Sequence, residues 1–192
     1  MKLFYDTETT GFPDDYKPLD DPSQPHCVQL AAILTEDGGK ELSSINLIIK
    51  PDGWVIPNSA SKIHGITNDI SANCGIREVV AAGVFYDLAS QADIVIAHNE
   101  KFDRKIIGTL FARSRRQWEF LNKSFCTMEA ASQIVNLPPT PRMIAAGVDK
   151  PKPPKLEECY EFFFGERLDG AHDALVDVRA CARVYWHMEA MK

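Results

Sequence analysis

The chain has 192 residues, of which 45% are hydrophobic and 25% charged, and its formal net charge is −6 at pH 7. These values are ordinary for a globular protein, and the length is sufficient for one full core, so we predict a single domain, 1–192. The acidic balance argues against a surface that coats nucleic acid generally, but it is compatible with an enzyme that holds nucleic acid locally.

The cellular compartment is indicated by what the sequence lacks. It contains neither a run of about 18 apolar residues nor an N-terminal signal peptide, so we expect no membrane association and no secretion. The cysteines are odd in number and widely scattered, which argues against a disulfide framework and a structural zinc site. These are Cys27, Cys74, Cys126, Cys159 and Cys181. We therefore expect a soluble cytoplasmic protein.

The chain opens with an apolar, β-favouring run, Leu3–Tyr5, which leads into two acids, Asp6 and Glu8. In a strand, residues i and i+2 lie on the same face, so both carboxylates are predicted to point the same way at the strand's end. Two adjacent carboxylates repel each other, and a hard divalent cation such as Mg²⁺ relieves that repulsion. An isolated pair more often simply ends a strand in solvent, so the metal prediction depends on further acids.

Residues Phe12–His26, rich in Pro, Asp and Tyr, predict a long surface loop. Strands are predicted near Val28–Thr35 and Ser44–Lys50, with Gly38-Gly39 allowing the turn between them. We predict irregular structure over Pro51–Ser71. A helix is then predicted over 76–90, and its apolar face would consist of Val79, Val80, Gly83, Val84 and Leu88.

The short apolar run Asp93–Ala97 predicts a buried strand, and the helix predicted over Glu100–Phe111 would have Asn99 as its N-cap. Its predicted apolar side is Phe102, Ile106, Ile107, Leu110 and Phe111. Basic residues concentrate on this helix and in a later loop, where they weakly favour phosphate binding. They are Lys101, Arg104, Lys105, Arg113, Arg115 and Arg116, with Lys150, Lys152 and Lys155.

The last third of the chain predicts three helices, Met128–Val135, Leu156–Phe164 and Ala171–Glu189. Between the first two, Pro138–Pro154 contains six prolines and is predicted to be irregular. Strands first, followed by helices that alternate with a buried strand, predict a mixed sheet with helices packed on it. The three tryptophans indicate packing roles: Trp54, Trp118 and Trp186.

Further acids occur near the predicted ends of elements. Asp103 falls one turn into the helix that follows a buried strand, at the sheet edge where ligands usually bind, although an Asp there can also merely favour the helix dipole. His172 and Asp177 would lie about 140° apart on a continuous helix. We therefore place Asp177 inside the last helix and His172 in its first turn or the loop before it. A fixed carboxylate and a mobile imidazole suit a metal site with a general base, whereas the alternative is a surface histidine and a solvated acid.

Three segments resemble, in order, the motifs of the DEDDh (DnaQ-like) 3′–5′ exonucleases. They are Asp6-Thr7-Glu8-Thr9-Thr10-Gly11, His98-Asn99-Glu100-Lys101-Phe102-Asp103 and His172-Asp173-Ala174-Leu175-Val176-Asp177. A fourth segment, Ile63-His64-Gly65-Ile66-Thr67, resembles a secondary signature of that family, and the resemblance runs from Lys2 to about Tyr185. It implies an RNase H-like fold, in which a mixed five-stranded sheet with antiparallel strands first is flanked by helices.

The resemblance also implies a chemistry. Two Mg²⁺ ions, for which Mn²⁺ substitutes, would be held by Asp6 (bridging), Glu8, Asp103 and Asp177, and His172 would be the general base of a two-metal hydrolysis. Nucleic acid 3′ ends, with single-stranded DNA favoured, would be cut to nucleoside 5′-monophosphates. The substrate-binding residues implied are Thr7, Thr9, Phe12, His98 and Asn99.

Several alternatives remain open from the sequence. Phe12 can equally anchor its loop, His98 and Asn99 can brace the second motif, and His64 is expected to brace a loop. Cys126-Thr127 replaces an Asp-Thr pair of many relatives, with little expected loss of activity. The competing functions are an RNA 3′-end trimming exoribonuclease and a catalytically idle nucleic-acid-binding module, which the intact acid set disfavours. Because the sequence ends at Lys192, we do not expect a proofreading subunit docked by a C-terminal tail.

Overall fold

A computed structural model describes residues 1–115 and 123–192. Arg116, predicted to belong to the basic cluster, and Trp118, predicted to pack, lie outside these ranges. The described residues form five strands: β1 (Lys2–Thr9), β2 (Cys27–Thr35), β3 (Glu41–Ile48), β4 (Ile94–Ala97) and β5 (Lys123–Cys126). They also form eight helices: α1 (Asn58–His64), α2 (Asn68–Cys74), α3 (Glu78–Ala89), α4 (Glu100–Arg113), α5 (Thr127–Val135), α6 (Pro141–Ala145), α7 (Leu156–Phe164) and α8 (Ala174–Ala190).

The strands form one sheet in the order β3-β2-β1-β4-β5. β1 pairs with β2, and β2 with β3, in antiparallel fashion, whereas β1 pairs with β4, and β4 with β5, in parallel. The predicted mixed five-stranded sheet with antiparallel strands first is therefore confirmed. β1 lies at its centre, hydrogen-bonded on both sides, which brings the first motif to the middle of the molecule.

Helices cover both faces of the sheet, so that each face has its own core. Successive side chains of β1 point alternately into one core and the other. Leu3 and Tyr5 pack in the core that includes α3 and α4, and Phe4 packs in the opposite core with Val178 and Tyr185 of α8. By the same alternation Asp6 and Glu8 continue the face that looks toward α8, and Thr7 continues the face that looks toward α4. In the described ranges, no helix has both the length and the apolar composition needed to cross a membrane.

Two segments predicted to be irregular contain short helices. Pro51–Ser71 was predicted without helices, but it contains α1 and the start of α2, each of seven residues. Each of these helices buries only one side chain, so neither leaves an apolar periodicity in the sequence. Similarly, Pro138–Pro154 contains the five-residue helix α6, which begins at a proline after a threonine cap. The prediction of irregular structure was wrong at these places.

The predicted face of α3 was wrong except at Leu88. The helix buries Ala81, Ala82, Phe85, Leu88 and Ala89, and leaves Val79 and Val80 39% and 40% exposed. Small alanines fit the close approach to the sheet, which an argument based on the largest apolar residues does not detect. The predicted face of α4 is correct, since Ile106, Ile107, Leu110 and Phe111 are all buried.

The predicted cap of α4 is only half right. Asn99 does occupy the position before the helix, but its backbone is left-handed (φ 72°) and its side chain makes no capping hydrogen bond. Asparagine tolerates this conformation better than most residues do. The residue therefore serves as a sharp turn between β4 and α4, and not as a side-chain cap.

The long loop Phe12–His26 is held against α4 by two residues of the basic cluster, which was expected to be a solvated face and only weakly favoured phosphate binding. Lys105 Nζ donates to the Asp14 carbonyl (2.6 Å) and to Asp15 Oδ1 (2.7 Å), and Arg113 donates to the Gln24 and Pro25 carbonyls. The structure thus gives two cations of this cluster a different task, which is to fix the loop next to the first motif.

Candidate active site

The ten residues predicted for catalysis, metal binding or substrate binding all line one cleft of about 540 Å³, at the end of β1 where its apolar run gives way to acids. They are Asp6, Thr7, Glu8, Thr9, Phe12, His98, Asn99, Asp103, His172 and Asp177. Four elements supply the predicted metal and base residues: β1 gives two acids, α4 one, α8 one, and the turn before α8 gives the histidine. The three motifs, far apart in sequence, thus meet at one end of the sheet.

Thr7 connects the first motif to the second. Its backbone N–H and its hydroxyl both donate to Asp103 Oδ1, over 3.0 and 2.7 Å, and the side chain is buried. These bonds orient the Asp103 carboxylate from the strand that carries Asp6. Because the N–H is already engaged, Thr7 positions an acid in this structure, which differs from the substrate contact predicted for it.

The third motif forms a turn followed by a helix start. Asp173 caps α8 by accepting from the backbone N–H groups of Leu175 and Val176, so the helix begins at Ala174 and not at the predicted Ala171. His172, just before the cap, has a left-handed backbone (φ 68°), and its N–H donates to Asp177 Oδ2 over 2.9 Å. The prediction that Asp177 lies inside the helix and His172 before it is therefore confirmed.

Burial opposes ionisation of all four acids, and repulsion from the other acids of the set adds to it for Asp6 and Glu8. Burial, reinforced by Asp103 and Asp177, raises the pKa of Asp6 well above its usual range. Burial, followed by the charges of Asp177 and Asp103, raises the pKa of Glu8 to about 8. Burial also raises the pKa of Asp103 to about 7, against the hydrogen bonds from Thr7, and that of Asp177 to about 6, against the His172 N–H.

Two of these acids, Glu8 and Asp177, form with His172 a group that could hold a divalent cation. Asp177 Oδ1 is buried without a hydrogen-bond partner, and such an atom is costly unless something coordinates it. One ligand atom each from Glu8, His172 and Asp177 lies within 4.8 Å of the others. Carboxylate oxygens are the donors that Mg²⁺ and Mn²⁺ prefer, and a bound cation would favour the ionised carboxylates against the burial that chiefly raises these pKa values.

Comparison with known proteins decides the family. A family model described as exonuclease (RNase_T) matches residues 3–185. This chain belongs to the RNase_T exonuclease family. The sequence-based recognition of a DnaQ-like exonuclease with an RNase H-like fold is thereby confirmed.

Solved structures resemble this RNase_T exonuclease over its whole length. The zinc-bound complex of E. coli exonuclease I with single-stranded DNA has a TM-score of 0.76 at 21% identity, over 100% of this chain and 40% of that one. The E. coli enzyme in complex with a dA16 oligonucleotide has a TM-score of 0.76 at 22% identity, and the match covers 98% of this chain and 40% of that one. Exonuclease I from Methylocaldum szegediense has a TM-score of 0.74 at 24% identity, and the match covers 100% of this chain and 40% of that one. At these identities the likeness shows the fold, and this chain spans about 40% of the length of those proteins. A comparison with curated proteins found no significant match.

His98, in the second motif, links that motif to two other segments of the chain by hydrogen bonds. Its Nδ1 lies 2.9 Å from Thr127 Oγ1 and its Nε2 lies 3.0 Å from the Pro154 carbonyl oxygen. Burial lowers the pKa of the imidazole to about 4, so the ring is neutral, with Nε2–H donating to Pro154 and Nδ1 accepting from Thr127. Both nitrogens are engaged, which supports the bracing role over the predicted substrate contact. Thr127 belongs to the Cys126-Thr127 pair noted as a departure from the family pattern.

The sequence did not indicate that α1 would form one wall of the cleft. Ser59, Ala60, Ile63 and His64 line it from this helix. Only the secondary signature, 63–67, marked the region. The N–H of Ile66 donates to His64 Nδ1 over 3.1 Å, which agrees with the predicted loop-bracing role.

Phe12 lies at the mouth of the cleft. Its side chain is 90% exposed, and its ring meets Phe102 edge-on at a centroid distance of 6.0 Å. A loop-anchoring phenylalanine would be buried, so the exposure favours the predicted contact with substrate. Thr9 lies behind it, where its hydroxyl donates to the Gly11 carbonyl over 2.7 Å and shapes the turn that presents Phe12.

Proposed function

We propose that residues 1–192 form one 3′–5′ exonuclease domain, which hydrolyses the terminal phosphodiester of single-stranded DNA and releases nucleoside 5′-monophosphates. The observation that carries this proposal is the convergence of Asp6, Glu8, Asp103, Asp177 and His172 in one cleft of an exonuclease-family fold. An idle binding module would not need four acids gathered in one cleft, two of which, Asp103 and Asp177, are buried. The DNA preference is supported by the similar exonuclease I structures that contain single-stranded DNA oligonucleotides.

The proposal includes two Mg²⁺ ions, replaceable by Mn²⁺. Asp6 would contact both, Glu8 and Asp177 would complete one site, and Asp103 would hold the other. When bound, the ions would offset the charge that develops on the phosphoryl oxygens and make the attacking water more acidic. A cytoplasmic location fits the chain, since all five cysteines are free thiols.

The side chains divide the reaction among them. The water oxygen forms a bond to phosphorus as the bond from phosphorus to O3′ breaks, His172 accepts the water proton, and solvent protonates the leaving O3′. His172 suits this step because its backbone is fixed to Asp177 while its ring is half exposed and able to rotate. Phe12 stacks on the terminal base, an interaction that accepts any sequence.

The test is digestion of 5′-labelled single-stranded DNA, duplex DNA and RNA oligonucleotides with Mg²⁺. We expect a ladder that shortens from the 3′ end, fastest on single-stranded DNA, with 5′-mononucleotides as products. EDTA and Asp6→Ala should abolish it, and Asp87→Ala, an exposed acid of α3, is the matched control that should not. RNA degraded fastest would favour the trimming exoribonuclease, and intact substrates with folded protein under Mg²⁺ and Mn²⁺ would favour the binding module.

A further inference from the structure

A side cavity of about 280 Å³ adjoins the active-site cleft, and the two share His98, Asn99, His172 and Asp177 as lining residues. The far wall of the side cavity is the end of the proline-rich segment and the start of α7. An acid enters the cavity from that wall: Glu157 Oε1 lies 4.0 Å from His172 Nε2. The mechanism described so far gives this acid no role.

The backbone of Glu157 is firmly held. Glu158, its neighbour, holds the first turn of α7 by accepting the Lys155 N–H over 2.7 Å, and it also pairs with Lys152 Nζ at 2.5 Å. Cys159, one residue further, is fully buried in a core shared with α5 and α8. The start of α7 therefore cannot shift much relative to the cleft.

The second motif adds a further attachment, because the His98 imidazole donates to the Pro154 carbonyl just before α7. The imidazole of His172 is less tightly packed than the start of α7. Its side chain is 52% exposed and that of Glu157 is 43% exposed, so both can rotate, although both backbones are fixed. A movement of about 1 Å would bring the two groups into hydrogen-bonding distance.

We propose that Glu157 is a positioning residue for the general base. Once the two groups close to hydrogen-bonding distance, its carboxylate accepts the hydrogen on the nearer ring nitrogen of His172, Nε2, which leaves Nδ1 free to take the proton of the attacking water. The same carboxylate stabilises the imidazolium that forms after the transfer. Glu157 contacts neither substrate nor cation in this role, so it acts only through His172. The inference rests on the proposed function, in which His172 is the base.

The experiment compares Glu157→Ala, Glu157→Gln and Glu161→Ala on 5′-labelled single-stranded DNA, each also combined with His172→Ala. Glu161 is the matched control because it is an exposed acid one turn further along α7. We expect Glu157→Ala to lower kcat about tenfold or more with KM changed less than about twofold, as for loss of a general-base partner. Gln keeps an oxygen acceptor at the same place and should restore part of kcat.

The double variants separate positioning from a structural effect. In the His172→Ala background, assayed with Mn²⁺ to keep residual turnover measurable, Glu157→Ala should lower kcat by less than about twofold further. An equal loss in both backgrounds, a rise in kcat, or an increased cation requirement would overturn the proposal. This inference alone fails if Glu157→Ala has the same kcat as Glu161→Ala while the wild type is active and His172→Ala is impaired. If the folded wild type degrades nothing, the proposed function itself fails.

Discussion

The acids of the cleft should destabilise the fold that carries them when no cation is bound, and Asp177 allows this cost to be measured. Its pKa is raised from 3.8 to about 6, chiefly by burial. One pKa unit corresponds to about 1.4 kcal/mol, so ionising this buried carboxyl costs about 3 kcal/mol more in the folded than in the unfolded chain. Because the folded pKa is the higher one, folding favours the protonated acid, and stability falls as the pH rises from below 3.8 through about 6.

Asp177→Asn removes the charge but keeps an oxygen that can accept the His172 N–H. In EDTA at pH 8 we expect the variant to be about 1–3 kcal/mol more stable than the wild type, with the lower figure if neighbouring acids such as Glu8 take up the proton instead. For a chain of this size, each kcal/mol raises Tm by about 2–4 °C. Activity should be lost, so one change stabilises the protein and inactivates it.

The assay is thermal unfolding followed by circular dichroism at pH 5 and pH 8, with Asp87→Asn as the exposed-acid control. The advantage of Asp177→Asn should be about half as large at pH 5 as at pH 8, because at pH 5 the folded carboxyl is still mostly protonated and the full cost of ionising it is not yet incurred. Mg²⁺ should stabilise the wild type and not the variant. A variant less stable than the wild type at pH 8, or a difference independent of pH, would refute this reasoning.

Three further predictions follow from contacts around the cleft. Phe12→Ala should raise KM about tenfold without lowering Tm, because it removes an exposed stacking ring; Tyr16→Ala, the control on the same loop, should change neither, and an equal effect of both would count against stacking. Thr7→Val should raise the Mg²⁺ concentration for half-maximal activity about tenfold, because it removes the hydroxyl that orients Asp103; an unchanged Mg²⁺ titration would be contrary evidence. Lys105→Met should loosen the loop, seen as faster limited proteolysis, but leave the salt dependence of DNA binding unchanged; a shallower slope would mean that this lysine contacts phosphate after all.

Part of the geometry of the candidate site could be predicted from the sequence because it is local. Asp6 and Glu8 share a face by strand alternation, and Asp177 lies five residues after His172 across a helix start, so the spacing alone restricts their geometry. The convergence of the three motifs, however, rested on resemblance to a family, because no spacing within a motif specifies contacts nearly 100 residues apart.

Other features depend on such long-range contacts, and the sequence did not reveal them. Nothing in the sequence indicated that Lys105 has a partner, because that partner, Asp15, lies in a loop 90 residues earlier. Glu157 lies outside every motif, and only the packing of α7 brings it to His172. The helix α1 was missed because seven residues with one buried alanine carry no periodic signal.

The placement of the acids on β1 has a consequence for amide hydrogen exchange. Amides of a central strand exchange only when the whole domain opens, whereas a short helix with one buried side chain can open alone. Cation binding should therefore slow exchange in Leu3–Tyr5, which is bonded to β2 and β4, by as much as it raises the free energy of global opening. The amides of α1 should exchange early whether or not cation is present. On this expectation, the segment that opens last carries two of the four acids, Asp6 and Glu8, and one that opens first forms a wall of the cleft.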